Sequence, residues 1–218
     1  MWHGGYRRAM NDLRVLVLSC SLKKSPAPSS SQLLGSQVLE ALIAAGESRG
    51  VDVTGEVVRV VDHHVAFGVT TDEGNGDGWP QIRSKLLDAD LLVLATPIWM
   101  GQPASVCKMV LERLDAEIAE TDDQGRMSMN GKVAVVAVVG NEDGAHHTTA
   151  ELLQGLNDVG FTIAANASTY WVGEAMQAVD YNDHEQTPEK TASTTSTAAE
   201  QALHLAQLMR QNPYPAPN

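Results

Sequence analysis

Short apolar runs alternate along the chain with longer stretches whose apolar positions recur every three or four residues, the pattern of βαβ units around a mostly parallel sheet. Five runs predict strands: residues 14–19 (RVLVLS), 52–61, 91–95 (LLVLA), 132–139 (KVAVVAVV) and 161–165. The second alternates with polar positions, as an edge strand does, whereas the third and fourth are uninterrupted and read as buried on both faces. Helical periodicity covers 31–49, with Leu33, Leu34, Val38, Leu39, Leu42 and Ile43 on one face and Gly50 as its stop. Further helices are predicted over 80–87, 103–118, 146–159 and 191–210. Between the second strand and second helix, 63–78 is a Gly- and Asp-rich loop, expected to be mobile and near the ligand site. Residues 173–190 are polar and irregular. Right-handed crossovers then give a doubly wound sheet of order 2-1-3-4-5 in three α/β/α layers.

At 218 residues with 43% hydrophobic content, one core is the expectation. Residues 1–12 read as a mobile leader, 13–211 as a single domain and 212–218 as a tail. The net charge of −12 leaves no basic stripe for a nucleic-acid backbone and no polybasic patch for anionic lipid. No apolar stretch approaches the roughly 20 residues of a membrane span. The two cysteines, Cys20 and Cys107, have no disulfide or metal spacing, so a reducing, cytoplasmic setting is expected and both read as small buried residues.

Three polar loops begin where buried strands end, at the edge where open parallel sheets bind ligands. The first, SCSLKKSPAPSSSQLL, places Ser19, Ser21, Lys23, Ser29 and Ser30 between a strand and a helix. Hydroxyls, a lysine and helix N-terminal amides suit a phosphate monoester, although Ser29, Ser30 and Ser31 equally suit capping the helix. Neither a P-loop nor a dinucleotide fingerprint is present. In the second loop, Thr96, Pro97, Ile98, Trp99, Met100 and Gly101 offer backbone amides for the polar rim of a flat heterocycle and an indole for its face. Packing against a neighbouring loop is the plainer role for Trp99 and Met100. The third loop, Gly140, Asn141, Glu142, Asp143, Gly144 and Ala145, leads into a helix, and its two carboxylates are expected to point outward. His146 and His147 diverge by about 100° on a helix, so they cannot form an i, i+4 metal pair. Solvent exposure is the plain reading, a place beside the ligand the sharper one. Tyr170, Trp171, Val172 and Gly173 are expected to follow the fifth strand and either close the site or pack in the core or an interface.

These residues resemble the flavodoxin-like NADPH-dependent FMN reductases and related flavodoxin-family proteins over roughly residues 13–172. The family pattern is a strand ending in G-S-x-R with later Ser, Asn or Thr, then [ST]-P-x-[YW]-x-G-x-x-[SP]-x-x-[LC]-K-x-x-[IL]-[DE]-R, then a Gly-rich loop after the fourth strand. Here Cys20-Ser21-Leu22-Lys23 stands at the first element, with Cys20 for Gly and Lys23 for Arg. Thr96 to Gly101 matches the second element closely, and Gly140 to Ala145 the third.

The resemblance implies a flavodoxin-like fold and an FMN-binding oxidoreductase that takes hydride from NAD(P)H and reduces a small acceptor: a quinone, an azo or nitro compound, or flavin. It assigns Ser19, Ser21, Lys23, Ser29 and Ser30 to phosphate, Thr96 to Gly101 to the ribityl chain and ring, and Gly140 to Ala145 to the ring edge. No catalytic side chain and no metal ligand is expected. A homodimer or higher homo-oligomer is expected as well. The competing classes are a non-enzymatic electron carrier of flavodoxin type and a flavodoxin-like binding domain without cofactor.

Overall fold

The computed structural model describes residues 11–175 and 177–217; the expected leader falls almost wholly outside them. Five parallel strands, β1 (Asp12–Ser19), β2 (Asp52–Arg59), β3 (Leu91–Trp99), β5 (Val133–Gly140) and β6 (Thr162–Val172), lie in the order β2-β1-β3-β5-β6. A sixth, two-residue strand, β4 (Gln102–Pro103), pairs antiparallel with the end of β3. With β4 set aside, the order is the expected 2-1-3-4-5.

Helices α1 (Ser30–Arg49), α2 (Trp79–Asp88), α3 (Ser105–Leu114), α4 (Ala145–Asp158) and α5 (Glu189–Gln211) cover both faces of this sheet. Strand side chains alternate between faces, so each central strand feeds two cores. Leu13, Val15 and Val17 of β1 pack with Leu34, Val38 and Leu42 of α1 and Ala198, Ala202 and Leu203 of α5. Leu16 and Leu18 pack on the other face with Ile82 and Leu86 of α2, Val110 of α3 and Leu152 of α4. Each such Val, Leu or Ile side chain, once fully buried, contributes about 1.5–3 kcal/mol.

Three elements differ from expectation. Strand β3 runs four residues past Ala95, through Pro97 to Trp99. Pro97 is tolerated because β1 pairing has stopped at Ser19↔Ala95, and on that side the Pro97 carbonyl instead accepts the Ala104 N–H at 3.2 Å. Strand β6 was expected to stop at Ala165 but continues to Val172, resuming after a bulge around Asn166, whose φ is 53°. The helix expected over 103–118 is α only to Leu114 and then tightens into a 3-10 turn, Asp115–Ile118. There Glu117, fully buried, accepts from Arg83 Nε at 2.5 Å and from Ser128 Oγ at 2.6 Å. Residues 191–197, a threonine-rich tract, belong to α5, and Thr194 and Thr195 bond Thr169 of β6 at 3.0 and 2.9 Å.

The loop over 63–78 is held by Asp77, whose carboxylate accepts the backbone N–H of Ala66 and of Trp79 at 3.0 Å and of Glu73 at 3.1 Å. Arg113 of α3 completes the arrangement with a 2.7 Å bond to the same carboxylate, both side chains being fully buried.

Candidate functional site

The carboxyl ends of β1, β3 and β5 bring the three polar loops together around a cavity of about 390 Å³. Its first wall is Ser21, Leu22, Lys23 and the serines at the start of α1; its second is Pro97, Ile98 and Trp99; its third is Gly140, Asn141 and Glu142. The fourth wall is a strap after β6, represented by Gln177, Asp180 and Tyr181, together with Trp171 from the strand itself.

In the first loop much of the hydrogen bonding is internal. Ser29 caps α1 by accepting the Gln32 N–H at 3.3 Å, and its hydroxyl lies 3.1 Å from that of Ser31. Ser29→Ala is therefore expected to cost about 1 kcal/mol of stability, read as a lower urea midpoint with an unchanged slope. Ser30 Oγ donates to Asn182 of the strap, and Ser21 Oγ accepts the Lys23 N–H at 3.1 Å. The buried Ser19 hydroxyl has no partner among the described residues, and Lys23 is exposed at the cavity. Arg59, at the end of β2, braces this loop from below, donating to the carbonyls of Lys23 and Ala27 at 3.2 and 2.8 Å and to Gln32 Oε1 at 2.8 Å. Cys20 and Cys107, 87 positions apart, are both buried and adjoin one another; burial pushes the Cys20 thiol up, and the neighbouring Cys107 adds to this.

In the second loop Thr96 is fully buried and spent inside the fold, its hydroxyl donating to Pro97 O at 3.0 Å and accepting from Ala104 N at 3.2 Å. Trp99 is 55% and Met100 91% exposed, so neither packs in the core. Met100 and Gly101 stand at the rim and do not line the cavity. In the third loop, Glu142 corrects an expectation. It does not point outward; its carboxylate accepts the Met100 and Gly101 N–H groups at 3.0 and 2.9 Å, because those unpaired amides are its nearest strong donors. Gly144 presses backbone to backbone on Gly101, Asp143 is exposed, and Ala145 is buried at the start of α4.

His146 and His147 are exposed and stay outside the cavity wall. His146 Nε2 lies 3.1 Å from the Tyr170 hydroxyl and His147 Nε2 lies 3.0 Å from Gln102 Oε1. Tyr170 to Val172 lie within β6, and Trp171 packs against Tyr181 and His184 of the strap at ring separations of 5.5 and 5.2 Å.

The strap, expected only as a polar irregular segment, and Arg59, expected only as part of the second strand, are not among the expected site residues. Asp180 accepts from Asn141 Nδ2 at 2.8 Å, and Tyr181 donates to Gln37 of α1 at 2.5 Å, so the segment is tied to both loop three and α1. Its signal in the sequence is a single tyrosine in a mostly polar stretch. Arg59 is a lone cation ending a valine-rich strand, a departure from the apolar pattern that marks a buried partner.

A larger groove of about 870 Å³ lies between β2 and α2, remote from the three loops. Its cations are paired within it or beside it, Lys85 with Glu56 at 2.5 Å, Arg83 with Glu117, and Arg14 with Asp88.

Residues 13–177 match the model of the family described as NADPH-dependent FMN reductase. The 8-demethyl-8-aminoriboflavin-5'-phosphate synthase of Streptomyces davaonensis is 30% identical over 212 residues, covering 93% of this chain and 80% of that protein. The divalent metal cation transporter MntH of Mycobacterium bovis is 35% identical over 205 residues, covering 91% of this chain; the chain spans only 29% of that relative's length. Among the described residues, no helix is long and apolar enough to cross a membrane. The crystal structure of RosB with bound 8-demethyl-8-formylriboflavin-5'-phosphate superposes with a TM-score of 0.80 at 29% identity, covering 93% of this chain and 82% of that one. With its flavodoxin-like sheet and its three loops at one edge, the chain belongs to the NADPH-dependent FMN reductase family.

Proposed function

We propose that the cavity between the three loops holds FMN and that the protein passes electrons from NAD(P)H to a small acceptor such as a quinone, an azo or nitro compound, or a flavin. The observation that carries this is the cavity itself: one end is polar and cationic, with Lys23 and the serine loop, while the other is walled by Pro97, Ile98 and Trp99. A volume of about 390 Å³ lies within the usual range for cofactor-sized ligands.

In this reading Lys23, Ser21 and the amides of loop one hold the phosphate, with Ser29 and Ser30 shaping it from the cap and the strap. Ile98 and Trp99 supply the apolar face, and Gly140 and Asn141 the facing wall. FMN, when bound, supplies hydride acceptance and transfer. The chain's residues orient it and limit water on the buried side, while the exposed rim of Trp99 and Met100 leaves the outer side open to donor and acceptor.

The test is the visible spectrum of the purified protein before and after adding FMN, followed by NADH and NADPH oxidation with a quinone. Expected are flavin bands that shift on binding and steady turnover. A protein that never takes up FMN would sink the reading, and reduction only through a partner protein would favour an electron carrier.

A second reading is favoured by the high structural similarity to RosB, whose bound molecule is itself a modified flavin phosphate. Here riboflavin-5'-phosphate is a substrate whose ring substituent is altered. Mass spectrometry of the flavin after incubation separates the two: an unchanged mass supports the reductase, a changed one the flavin-modifying enzyme.

A further inference from the structure

Met100 and Gly101 both take left-handed backbone, at φ 54° and 73°. For Met100, which carries a side chain, this conformation costs about 1–2 kcal/mol, so something must hold it. Glu142 does, from loop three: each carboxylate oxygen accepts one of the two consecutive N–H groups, at 3.0 and 2.9 Å. Consecutive amides of a turn form an anion-binding concavity, and here the anion belongs to the chain. Glu142 also lines the cavity beside Trp99, the residue immediately before the turn.

We infer that Glu142 is a positioning residue for FMN: its carboxylate fixes the 100–101 turn that sets Trp99 at the cavity mouth, and its fixed charge makes the protein bind oxidised FMN more tightly than reduced FMN. The inference rests on the FMN site proposed above. The second half follows from charge. At neutral pH the ring of reduced flavin carries one more negative charge than that of oxidised flavin, and a carboxylate in the same wall opposes it. Among the described residues the one lysine lining the cavity, Lys23, belongs to loop one and the phosphate end, while Asp180 in the strap adds a second carboxylate to the lining.

The test compares wild type with E142A and E142Q in three measurements. In ligand-free protein, amide hydrogen exchange over residues 99–101 is expected to be at least about tenfold faster in E142A. Titration with FMN is expected to show about tenfold weaker binding of the oxidised form by E142A. Redox titration of bound FMN in E142Q, which keeps a carbonyl acceptor without the charge, is expected to show reduced FMN gaining about tenfold relative to oxidised, a rise of about 30 mV for a two-electron couple. Unchanged exchange, or tighter FMN binding by E142A, would overturn the inference, the latter because the carboxylate would then merely compete with the ligand. An unchanged potential in E142Q would remove the charge effect. If wild type takes up no FMN, the proposed function falls, and the exchange measurement still decides whether Glu142 holds the turn.

Discussion

Arg113→Ala is expected to lower stability by about 3–5 kcal/mol, the usual cost of leaving one member of a buried ion pair without its partner. Arg113 is fully buried, donates to Ala66 O at 3.0 Å and to Asp77 at 2.7 Å, and lies 5.7 Å from the Trp79 ring centroid. The substitution thus removes the charge that Asp77 answers to and opens a void beside Trp79. Against a total stability of about 5–15 kcal/mol for a domain, this is a large share. Urea unfolding followed by circular dichroism reads it. The double variant Asp77→Asn with Arg113→Met, which leaves no buried charge, is expected to lose less than Arg113→Ala alone, and a double-mutant cycle gives the coupling. A loss below about 1 kcal/mol for Arg113→Ala would mean the pair contributes little beyond its own desolvation.

The same pair sets a pH window. Burial alone would raise the Asp77 carboxyl, but the amides of Trp79, Glu73 and Ala66 and the Arg113 guanidinium outweigh it and lower it from 3.8 to about 2. Because the folded value lies below the unfolded one, the contribution is complete above about pH 4 and is lost as pH falls toward 2. Its size is about 2 kcal/mol by linkage. Wild type is expected to lose this increment between pH 4 and pH 2, while Asp77→Asn shows a flatter profile over that range.

The sheet was legible because each central parallel strand is a bare apolar run, and alternation alone assigns its side chains to two faces. The ends were less so. Pro97 reads as a strand breaker, and only the early end of β1 on that side lets β3 continue to Trp99. In β6, Ala164, Ala165 and Asn166 carry no strand preference, so the strand's second half was read as something after it. The loops were legible as positions and less so as roles. The serines are consistent with a phosphate loop in composition, yet Ser29 caps a helix and Ser30 is bound to the strap. The second motif ends in Glu112 and Arg113, and Arg113 is a structural latch of the 63–78 loop. The strap was illegible because its order comes from contacts more than a hundred residues apart, such as Gln37 with Tyr181 and Ser30 with Asn182.

Gly144→Ala is expected to weaken FMN binding by about 100-fold, or about 2.7 kcal/mol, and to lower folding stability by about 1–2 kcal/mol through a Cβ on left-handed backbone. Gly144 stands at φ 110° just before α4, where its carbonyl accepts the Thr148 N–H at 2.8 Å. A Cβ there would meet Gly101 Cα at 2.7 Å and Gly101 O at 2.8 Å. These are backbone atoms, so no rotamer relieves the contact; either the 100–101 turn moves outward or the first turn of α4 tilts. Both displacements pull loops two and three apart at the wall where the ring is proposed to sit, and the second also shifts Ala145 of the core on that face. Gly101→Ala is the control. Gly101 shares the left-handed backbone, at φ 73°, but its Cβ would meet nothing within 4 Å. That variant bears only the conformational cost of about 1–2 kcal/mol, a loss of about tenfold in affinity if all of it appears in binding. FMN titration of the two variants beside wild type gives the ordering directly. Equal losses would mean that strain alone governs the site, and wild-type affinity in Gly144→Ala would mean that the contact between loops two and three does not position the ligand.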